Sequence, residues 1–369
     1  MTQVISTTTE VQPSHVCTSL LKTTGKPCGK PAYYIEPNKD KNEDRSKWTE
    51  VCGRHVKNKD SKTRNPHMVK NGRGKIERKE DIDLHKKTIE EAKLLNMKEK
   101  RTGDISCVKL RMFSKMPVKT GYLNVYPNEK HANKQDGLGM PALSPKKLGP
   151  IEIPNSKEIS LTLEGYHQFN KVYPHELDSK GNLTKEFLET RKVGYGLKSP
   201  LRHKFGKTKA EHLKFLRSKG AKIKVDANVN IPLFSAIQEE NGTFVKYTYL
   251  QSRYWYCTWY QVLAKKTKEY QTLVDLLKSG TNLQICGYDG FELSEGDRKD
   301  RKDRKDQKDQ KNEGDRMSKF FLEAYQDESR PFGHEIVLIC LLNKDINGGI
   351  LPWEVLGKPN GQGTILVVQ

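Results

Sequence analysis

The chain lacks the features of membrane and secreted proteins. Its 369 residues contain no apolar run of 18, the length that a transmembrane helix needs. The first residues carry neither the basic nor the apolar segment of a signal peptide. Seven cysteines are too few and too scattered for a disulfide framework. We therefore expect an intracellular protein that does not span or bind a membrane.

Apolar residues are also scarce. They make up 34% of the chain, against the usual 45–50%, and the mean hydropathy is −0.81. A core cannot extend along the whole length, and we expect solvated stretches. Lysine and arginine outnumber acidic residues by 66 to 46, which gives a net charge of +20. This charge favours nucleic acid as a partner, although a basic surface that only keeps the protein soluble would have the same composition.

Common nucleotide-site motifs are missing as well. The sequence has no P-loop, no GxGxxG, no GxSxG and no HExxH. Their absence weakens the case for a familiar enzyme class without excluding catalysis.

Composition and periodicity divide the chain into segments. We expect an α/β (or α+β) protein with a zinc-stapled N-terminal module, a loop-rich middle region and a C-terminal three-layer α/β domain. Asn241-Gly242 between two apolar runs predicts a β-hairpin in the last of these. The predicted segments are a disordered tail (1–15), a zinc module (16–56), a basic linker (57–79), an amphipathic helix (80–101), the loop-rich region (102–219) and the α/β domain (220–369), with a disordered insertion at 294–316.

The insertion holds a three-residue repeat, RKD or a variant of it, at 298–312. A period of three matches neither a helix face nor a strand face, so the repeat cannot bury one side. It is a solvated loop without a role, or an electrostatic arm for nucleic acid.

Three cysteines and a histidine near the N-terminus predict a zinc site. Cys17, Cys28, Cys52 and His55 form a Cys3His set, a standard structural ligand group for Zn²⁺. A module of about 40 residues with few aliphatic side chains needs such a metal to fold. His15 is a competing ligand, and the alternative is a set of reduced thiols without metal.

The stretches 17–28 and 51–55 resemble a small Cys3His finger of uncharacterised proteins from giant DNA viruses and some phages. This chain differs by a longer insert at 29–51 and by Val51 in an aromatic position. The resemblance implies a structural zinc and a viral protein, which would act in the host cytoplasm or nucleus or inside the virion.

A second group of functional residues lies between 287 and 335. A buried strand is predicted to end at Gly287, and an apolar helix is predicted to begin beside His334. In an open α/β sheet such sites converge at the carboxyl edge of the strands. We expect Asp289, His334 and Glu335 to face one cleft, with a phosphate seat on the backbone N–H groups of 333–335. The predicted catalytic residues are Asp289, His334 and Glu335, and the predicted ligand-binding residues are Gly287, Tyr288, Gly290, Phe332 and Gly333.

This region is similar to small Rossmann-like domains of unknown function from phages and large DNA viruses. The resemblance implies a ligand-binding α/β fold with an undefined activity. The alternative is that these residues have structural roles only: Gly333 and His334 would cap the helix, and Asp289 would form a turn.

A helix predicted to begin at Ser252 carries five large aromatic residues within seven positions, 254–260. Beside Arg253 these rings could stack on bases, or they could form an aromatic core. In the middle region, Arg202, His203 and Lys204 could contact phosphate. The alternative is that they are scattered polar residues in a loop-rich region.

Three functions follow from the sequence. The first is a basic zinc-containing protein that binds nucleic acid or a nucleotide through the α/β cleft. The second is an enzyme acting on a nucleotide or nucleic acid. The third is a structural or virion-interior protein that packs against the genome.

Overall fold

A computed structural model describes most of the chain after residue 78. The described residues are four short strands within 34–78, then 79–110, 117–201, 203, 232–290, 310–361 and the strand at 365–366; side chains are described from residue 79, apart from 310–317 and 365–366. The helices are α1 (Lys79–Lys98), α2 (Leu163–Phe169), α3 (Lys185–Tyr195), α4 (Tyr249–Ala264), α5 (Lys268–Lys278), α6 (Gln310–Gln326), α7 (His334–Asn347) and α8 (Pro352–Leu356). The strands are β1 (Tyr34–Glu36), β2 (Thr49–Val51), β3 (Met68–Lys70), β4 (Ile76–Arg78), β5 (Ile105–Lys109), β6 (Tyr122–Tyr126), β7 (Gly137–Gly139), β8 (Ile151–Glu152), β9 (Ile159–Ser160), β10 (Lys171–Val172), β11 (Phe234–Gln238), β12 (Phe244–Tyr247), β13 (Asn282–Gly287) and β14 (Ile365–Leu366).

A four-stranded parallel sheet has the order β5-β13-β6-β7. The expected α/β class is confirmed by this sheet and its helices. Three of the four strands come from the region predicted to be loop-rich, 102–219, and only β13 comes from 220–369. The sheet therefore crosses the boundary predicted at residue 220, because its central strand pairs with segments far away in the sequence.

The two faces of this sheet differ in polarity. Leu283 and Ile285 lie on one face with Ile105 and Val125, and these side chains belong to the main hydrophobic core. That face packs against α7, in which every residue from Glu335 to Asn343 is buried. Burial of all its sides explains why α7 is apolar around its whole circumference.

The opposite face is buried but polar. Gln284 Nε2 donates to Asn124 Oδ1 at 2.7 Å across β13 and β6, and both residues are buried. Helix α1 lies on this side, where Asn96 Nδ2 donates to the Gly280 carbonyl oxygen at 2.8 Å and to Asn282 Oδ1 at 2.9 Å. The sheet thus has helices on both faces, which gives three layers.

An antiparallel sheet lies beside this unit, with the order β10-β11-β12-β14. The predicted hairpin between β11 and β12 is confirmed, with Gly242 at φ +82° in the turn. The apolar stretch 364–368 near the C-terminus predicts a further edge strand, and β14 pairs with β12 there.

Two helix starts differ from the prediction. Helix α4 was expected to begin at Ser252, but it begins at Tyr249, because Thr248 and Gln251 form a capping box. Helix α6 begins at Gln310, so residues 310–316 are helical rather than part of a disordered insertion. The rest of the insertion, 294–309, lies outside the described residues.

Other predictions of the sequence fall partly or wholly outside the described residues. The predicted linker 57–79 contains the antiparallel pair β3–β4 and the first residue of α1. The tail, the four predicted zinc ligands and the stretch 204–231 are not described. In the part of the chain that is described, no helix is long and apolar enough to cross a bilayer.

Candidate functional site

Two carboxylates meet where β13 ends and α7 begins. Gly333 precedes α7 as its N-cap. The point at which a Cβ of Gly333 would lie is 3.2 Å from Asp289 Oδ2 and 3.0 Å from Glu335 Oε2. The two oxygens are therefore no more than 6.2 Å apart. Asp289 is exposed, whereas Glu335 is 1% exposed.

The close approach depends on two glycines. A Cβ on Gly333 would lie 2.6 Å from Asp289 Cβ, and a Cβ on Gly287 would overlap Glu335 Cγ and Oε1. Any side chain at either position would force one of the carboxylates to move. The sequence signal for this feature is the pair of glycines at a strand end and at a helix start.

The environment of Glu335 changes its pKa. Burial raises the pKa of Glu335, and the negative charge of Asp289 adds to this rise. The neighbouring His334 and the backbone N–H of Glu335 itself lower that pKa, but burial is the largest effect. A buried carboxyl group with a raised pKa favours its protonated form relative to an ordinary glutamate.

His334 is held from both sides. Its Nδ1 lies 3.2 Å from Glu335 Oε2, and its Nε2 lies 2.9 Å from the Pro127 carbonyl oxygen, which follows β6. The side chain is 14% exposed. Because both ring nitrogens contact protein oxygens, His334 is suited to hold Glu335 in place rather than to exchange protons with a ligand.

The predicted phosphate seat is occupied by a side chain. The Glu335 carboxyl group lies beside Gly333 at the start of α7, and its own backbone N–H acts to lower its pKa. The Glu335 carboxyl group thus lies at the helix terminus, where a phosphate was expected.

The other predicted ligand-binding residues lie apart from this carboxylate pair. Tyr288 points to the opposite side of the sheet, where its ring centroid is 5.9 Å from that of His131. Phe332 is 4% exposed and packs edge-on against Tyr325, with centroids 5.2 Å apart. A Cβ on Gly290 would lie 2.9 Å from Cys107 Sγ, so this glycine allows β13 to leave the sheet beside β5.

The aromatic helix α4 contributes core rings. Tyr256 and Tyr260 are buried, and the Tyr260 hydroxyl donates to the Leu143 carbonyl oxygen at 2.9 Å. Arg253 is 4% exposed and donates only to backbone carbonyl oxygens, so it has no free edge for a base. For these three residues the core interpretation is correct and base stacking is excluded by burial.

Sequence reasoning missed that α2 reaches the same neighbourhood. The His167 ring centroid lies 4.9 Å from that of Tyr256, and the charges of Glu164 and Glu335 both act on Tyr256. Burial is the largest cause of the raised pKa of Tyr256 and of the lowered pKa of His167. No sequence motif connects these residues, since α2 and α4 meet only through tertiary packing.

His203 is a structural residue in the middle region. It is 4% exposed, and its Nε2 lies 3.1 Å from Glu176 Oε1. Its Nδ1 contacts the Gln168 carbonyl oxygen at 3.2 Å. These contacts leave no ring nitrogen for phosphate, and the neighbouring Arg202 and Lys204 are outside the described residues.

The described residues contain no group of three or more His, Cys, Asp or Glu side chains that could hold a metal ion. The cysteines at 107, 257, 286 and 340 have apolar neighbours in the sequence, which predict buried thiols, and all four are free and buried. The candidate zinc ligands lie beyond this part of the chain, so the zinc site stays a prediction.

Comparison with known proteins finds no match: no family model fits the chain, and no curated protein or solved structure is detectably similar to it. The function is therefore inferred from the site itself. The resemblance to viral domains stays a prediction from the sequence.

Proposed function

We propose that this chain is an enzyme acting on a nucleotide or on nucleic acid at the carboxyl edge of its parallel sheet. Glu335 is the proton donor and Asp289 is the proton acceptor. The observation that supports the proposal is the pair of carboxyl groups, at most 6.2 Å apart, in opposite environments.

Two carboxyl groups with different surroundings suit acid–base catalysis. Burial favours the protonated form of Glu335, while Asp289 is exposed to solvent. Proteins assign the roles of acid and base to such pairs through environment. His334 contacts Glu335 Oε2 and the Pro127 carbonyl oxygen, and so acts as a positioning residue.

The substrate class follows from charge and from the location of the site. Ligands of open α/β sheets bind beyond the carboxyl ends of the strands, where this pair lies. A net charge of +20 attracts polyanions. The ten lysines and arginines within 54–79, against two acidic residues, would hold the strand of a nucleic acid near the protein.

We also propose that Cys17, Cys28, Cys52 and His55 bind one structural zinc ion, in keeping with the resemblance to viral Cys3His fingers. Its role would be to fold the N-terminal module, because thiolate and imidazole ligands without an open position do not support catalysis.

The proposal is tested by binding and turnover together. Nucleoside monophosphates and a single-stranded oligonucleotide are offered to the wild type, to Asp289→Asn and to Glu335→Gln. Asp83→Asn, a change at an exposed residue of α1, is the matched control. We expect chemical change of at least one substrate by the wild type and the control, and a loss of about 100-fold or more in both site variants.

Binding without any chemical change would favour the second candidate, a nucleic-acid-binding protein without catalysis. The composition supports this alternative, since the basic charge needs no active site to attract a polyanion. Unchanged turnover in Asp289→Asn and Glu335→Gln would show that the reaction occurs elsewhere.

A further inference from the structure

We infer that the nucleobase of the substrate binds between α2 and α4, by hydrogen bonds to the Tyr256 hydroxyl and the His167 ring. The inference rests on the proposed function and names the part of the substrate that this wall of the site receives. It starts from two neighbouring polar side chains that have no hydrogen-bond partner in the part of the chain that the structure describes.

These two side chains lie beside the start of α7. The His167 ring centroid is 4.9 Å from that of Tyr256, across the contact between α2 and α4. Tyr260 follows one turn later on the same side of α4, and its ring centroid is 6.2 Å from that of His334. The charge of Glu335 also acts on Tyr256. The α2–α4 contact therefore borders the carboxylate pair at the carboxyl edge of the parallel sheet.

The Tyr256 hydroxyl is a polar group that the fold leaves unsatisfied. Tyr256 is 9% exposed, and its hydroxyl makes no hydrogen bond to any described residue. Tyr260 on the same helix is buried as well, but its hydroxyl donates to the Leu143 carbonyl oxygen at 2.9 Å. A polar group of a buried side chain destabilises the fold when it lacks a partner, and a ligand atom that supplies this partner removes the penalty.

His167 provides the second unsatisfied group, and it is half-buried rather than enclosed. Neither ring nitrogen makes a hydrogen bond to a described residue. Burial lowers the pKa of His167 and the charge of Lys171 lowers it further, so the ring is neutral and offers one donor and one acceptor. Because the side chain is partly exposed, a ligand can reach this pair of residues from solvent.

The chemistry of the pair fits a nucleobase rather than a phosphate. A tyrosine hydroxyl and a neutral imidazole can each donate and accept a hydrogen bond, which matches the mixture of donors and acceptors along the edge of a base. The negative charge of Glu164 also acts on Tyr256 and would repel a phosphate here. Burial of the Tyr256 ring excludes stacking on its face, so the contact is made with the edge of the base.

Calorimetric titration of the full chain tests the inference with defined probes. Nucleoside 5′-monophosphates carry the base, and ribose 5-phosphate is a comparable ligand without it. The variants are Tyr256→Phe and His167→Phe, which keep the ring contact and remove only the hydroxyl or the ring nitrogens. We expect each variant to raise the Kd of at least one monophosphate by about 10-fold, because one hydrogen bond is lost and a base atom is left unpaired. The Kd of ribose 5-phosphate should stay the same.

Tyr249→Phe is the matched control, because Tyr249 is an exposed tyrosine of the same helix. Its affinity for each monophosphate should equal that of the wild type. The Tm without ligand separates a binding role from a structural one. Since the Tyr256 hydroxyl has no partner among the described residues, Tyr256→Phe should not lower Tm relative to the control. A clear fall in Tm would show that the hydroxyl serves the fold, and would overturn the inference.

The outcomes distinguish this inference from the proposed function. Unchanged affinity for every monophosphate in both variants would overturn the inference, while turnover that still depends on Asp289 would leave the proposed function standing. The same holds if the wild type binds no monophosphate but converts the oligonucleotide, or if the variants lose ribose 5-phosphate equally. Base-dependent binding that both variants weaken, with no chemical change in any substrate, would support the inference and contradict catalysis at this site.

Discussion

Arg253 is a buried cation of α4 that contacts the end of α6, and its removal should destabilise the fold. Its two terminal nitrogens donate to four carbonyl oxygens: Nη1 to Ala324 at 3.3 Å and to Tyr325 at 2.5 Å, and Nη2 to Asp327 at 3.2 Å and to Arg330 at 2.5 Å. The first two belong to the last turn of α6, where backbone carbonyls have no partner within the helix. Arg253 therefore ties the end of α6 to α4.

The change Arg253→Met keeps the length of the side chain and removes all four hydrogen bonds. Each is worth about 1 kcal/mol net, and the carbonyls left behind are partly buried, so we expect a loss of about 3–4 kcal/mol in the free energy of unfolding. At about 2–4 °C per kcal/mol, this corresponds to a fall in Tm of roughly 6–16 °C. Urea unfolding followed by circular dichroism measures the free energy directly.

Arg330→Met is the matched control for this change. The Arg330 side chain is 54% exposed, and its Nε pairs with Asp327 Oδ2 at 3.0 Å at the surface. An exposed pair contributes about 0–1 kcal/mol, so the control should remain near the wild type. If Arg253→Met lost less than about 1 kcal/mol, or no more than the control, the cap would not stabilise the fold as argued.

Four further predictions use other parts of the chain. Metal analysis should find about one zinc per chain, and Cys52→Ser should release it and expose residues 1–56 to protease without changing the rest; zinc-free protein that resists protease there would be contrary evidence. Deleting 298–309, the four units of the repeat that precede α6, should change Tm by less than about 2 °C in a thermal scan, since the repeat cannot bury one side. Binding of duplex DNA should weaken with salt, with log K falling by about 0.9 per neutralised phosphate; a flat dependence in a fluorescence titration would exclude electrostatic binding. Because the folded pKa of Glu335 is raised, its contribution to stability is present below the unfolded pKa and is lost as pH rises through the folded pKa. In urea titrations Glu335→Gln should therefore gain stability relative to the wild type as pH rises above about 4.3, the ordinary pKa of glutamate, and a constant difference would contradict the raised pKa.

Local signals predicted most of the individual elements. Asn241-Gly242 predicts the turn between β11 and β12, and Gly280, placed after the apolar pattern of α5, predicts the end of that helix and has φ +86°. In both cases the structure is determined by residues within a few positions of the turn. The start of α4 was missed by three residues because Thr248 and Ser252 are both good caps, and only Thr248 has Gln251 three positions later.

The arrangement of the sheet could not be predicted in the same way. Asn282 Oδ1 accepts from the backbone N–H of Asp104, 178 positions earlier. The strands from 102–139 are short, and their buried face carries Asn124 and Ser106 beside Gln284. The sequence predicts strands at 105–113 and 121–126, but polar residues on a buried sheet face do not reveal which strand pairs with them, so the region 102–219 was described as loop-rich and the domain boundary was placed inside the sheet.

The topology of the sheet predicts which segments meet at the candidate site, but side-chain packing decides how Glu335 is oriented there. Strand-end geometry correctly brought Asp289 and the start of α7 together. The same reasoning predicted a phosphate at that helix start and did not consider where the Glu335 side chain would lie. Gly287 has no side chain, so the Glu335 carboxyl group can lie against this backbone at the start of α7. Because of the orientation of Glu335, the site presents carboxyl groups to a ligand where N–H donors were expected. The net charge of +20 and this pair of carboxyl groups are therefore separate features of the chain: the charge comes from basic segments that attract polyanions, whereas the two carboxyl groups meet at the end of β13.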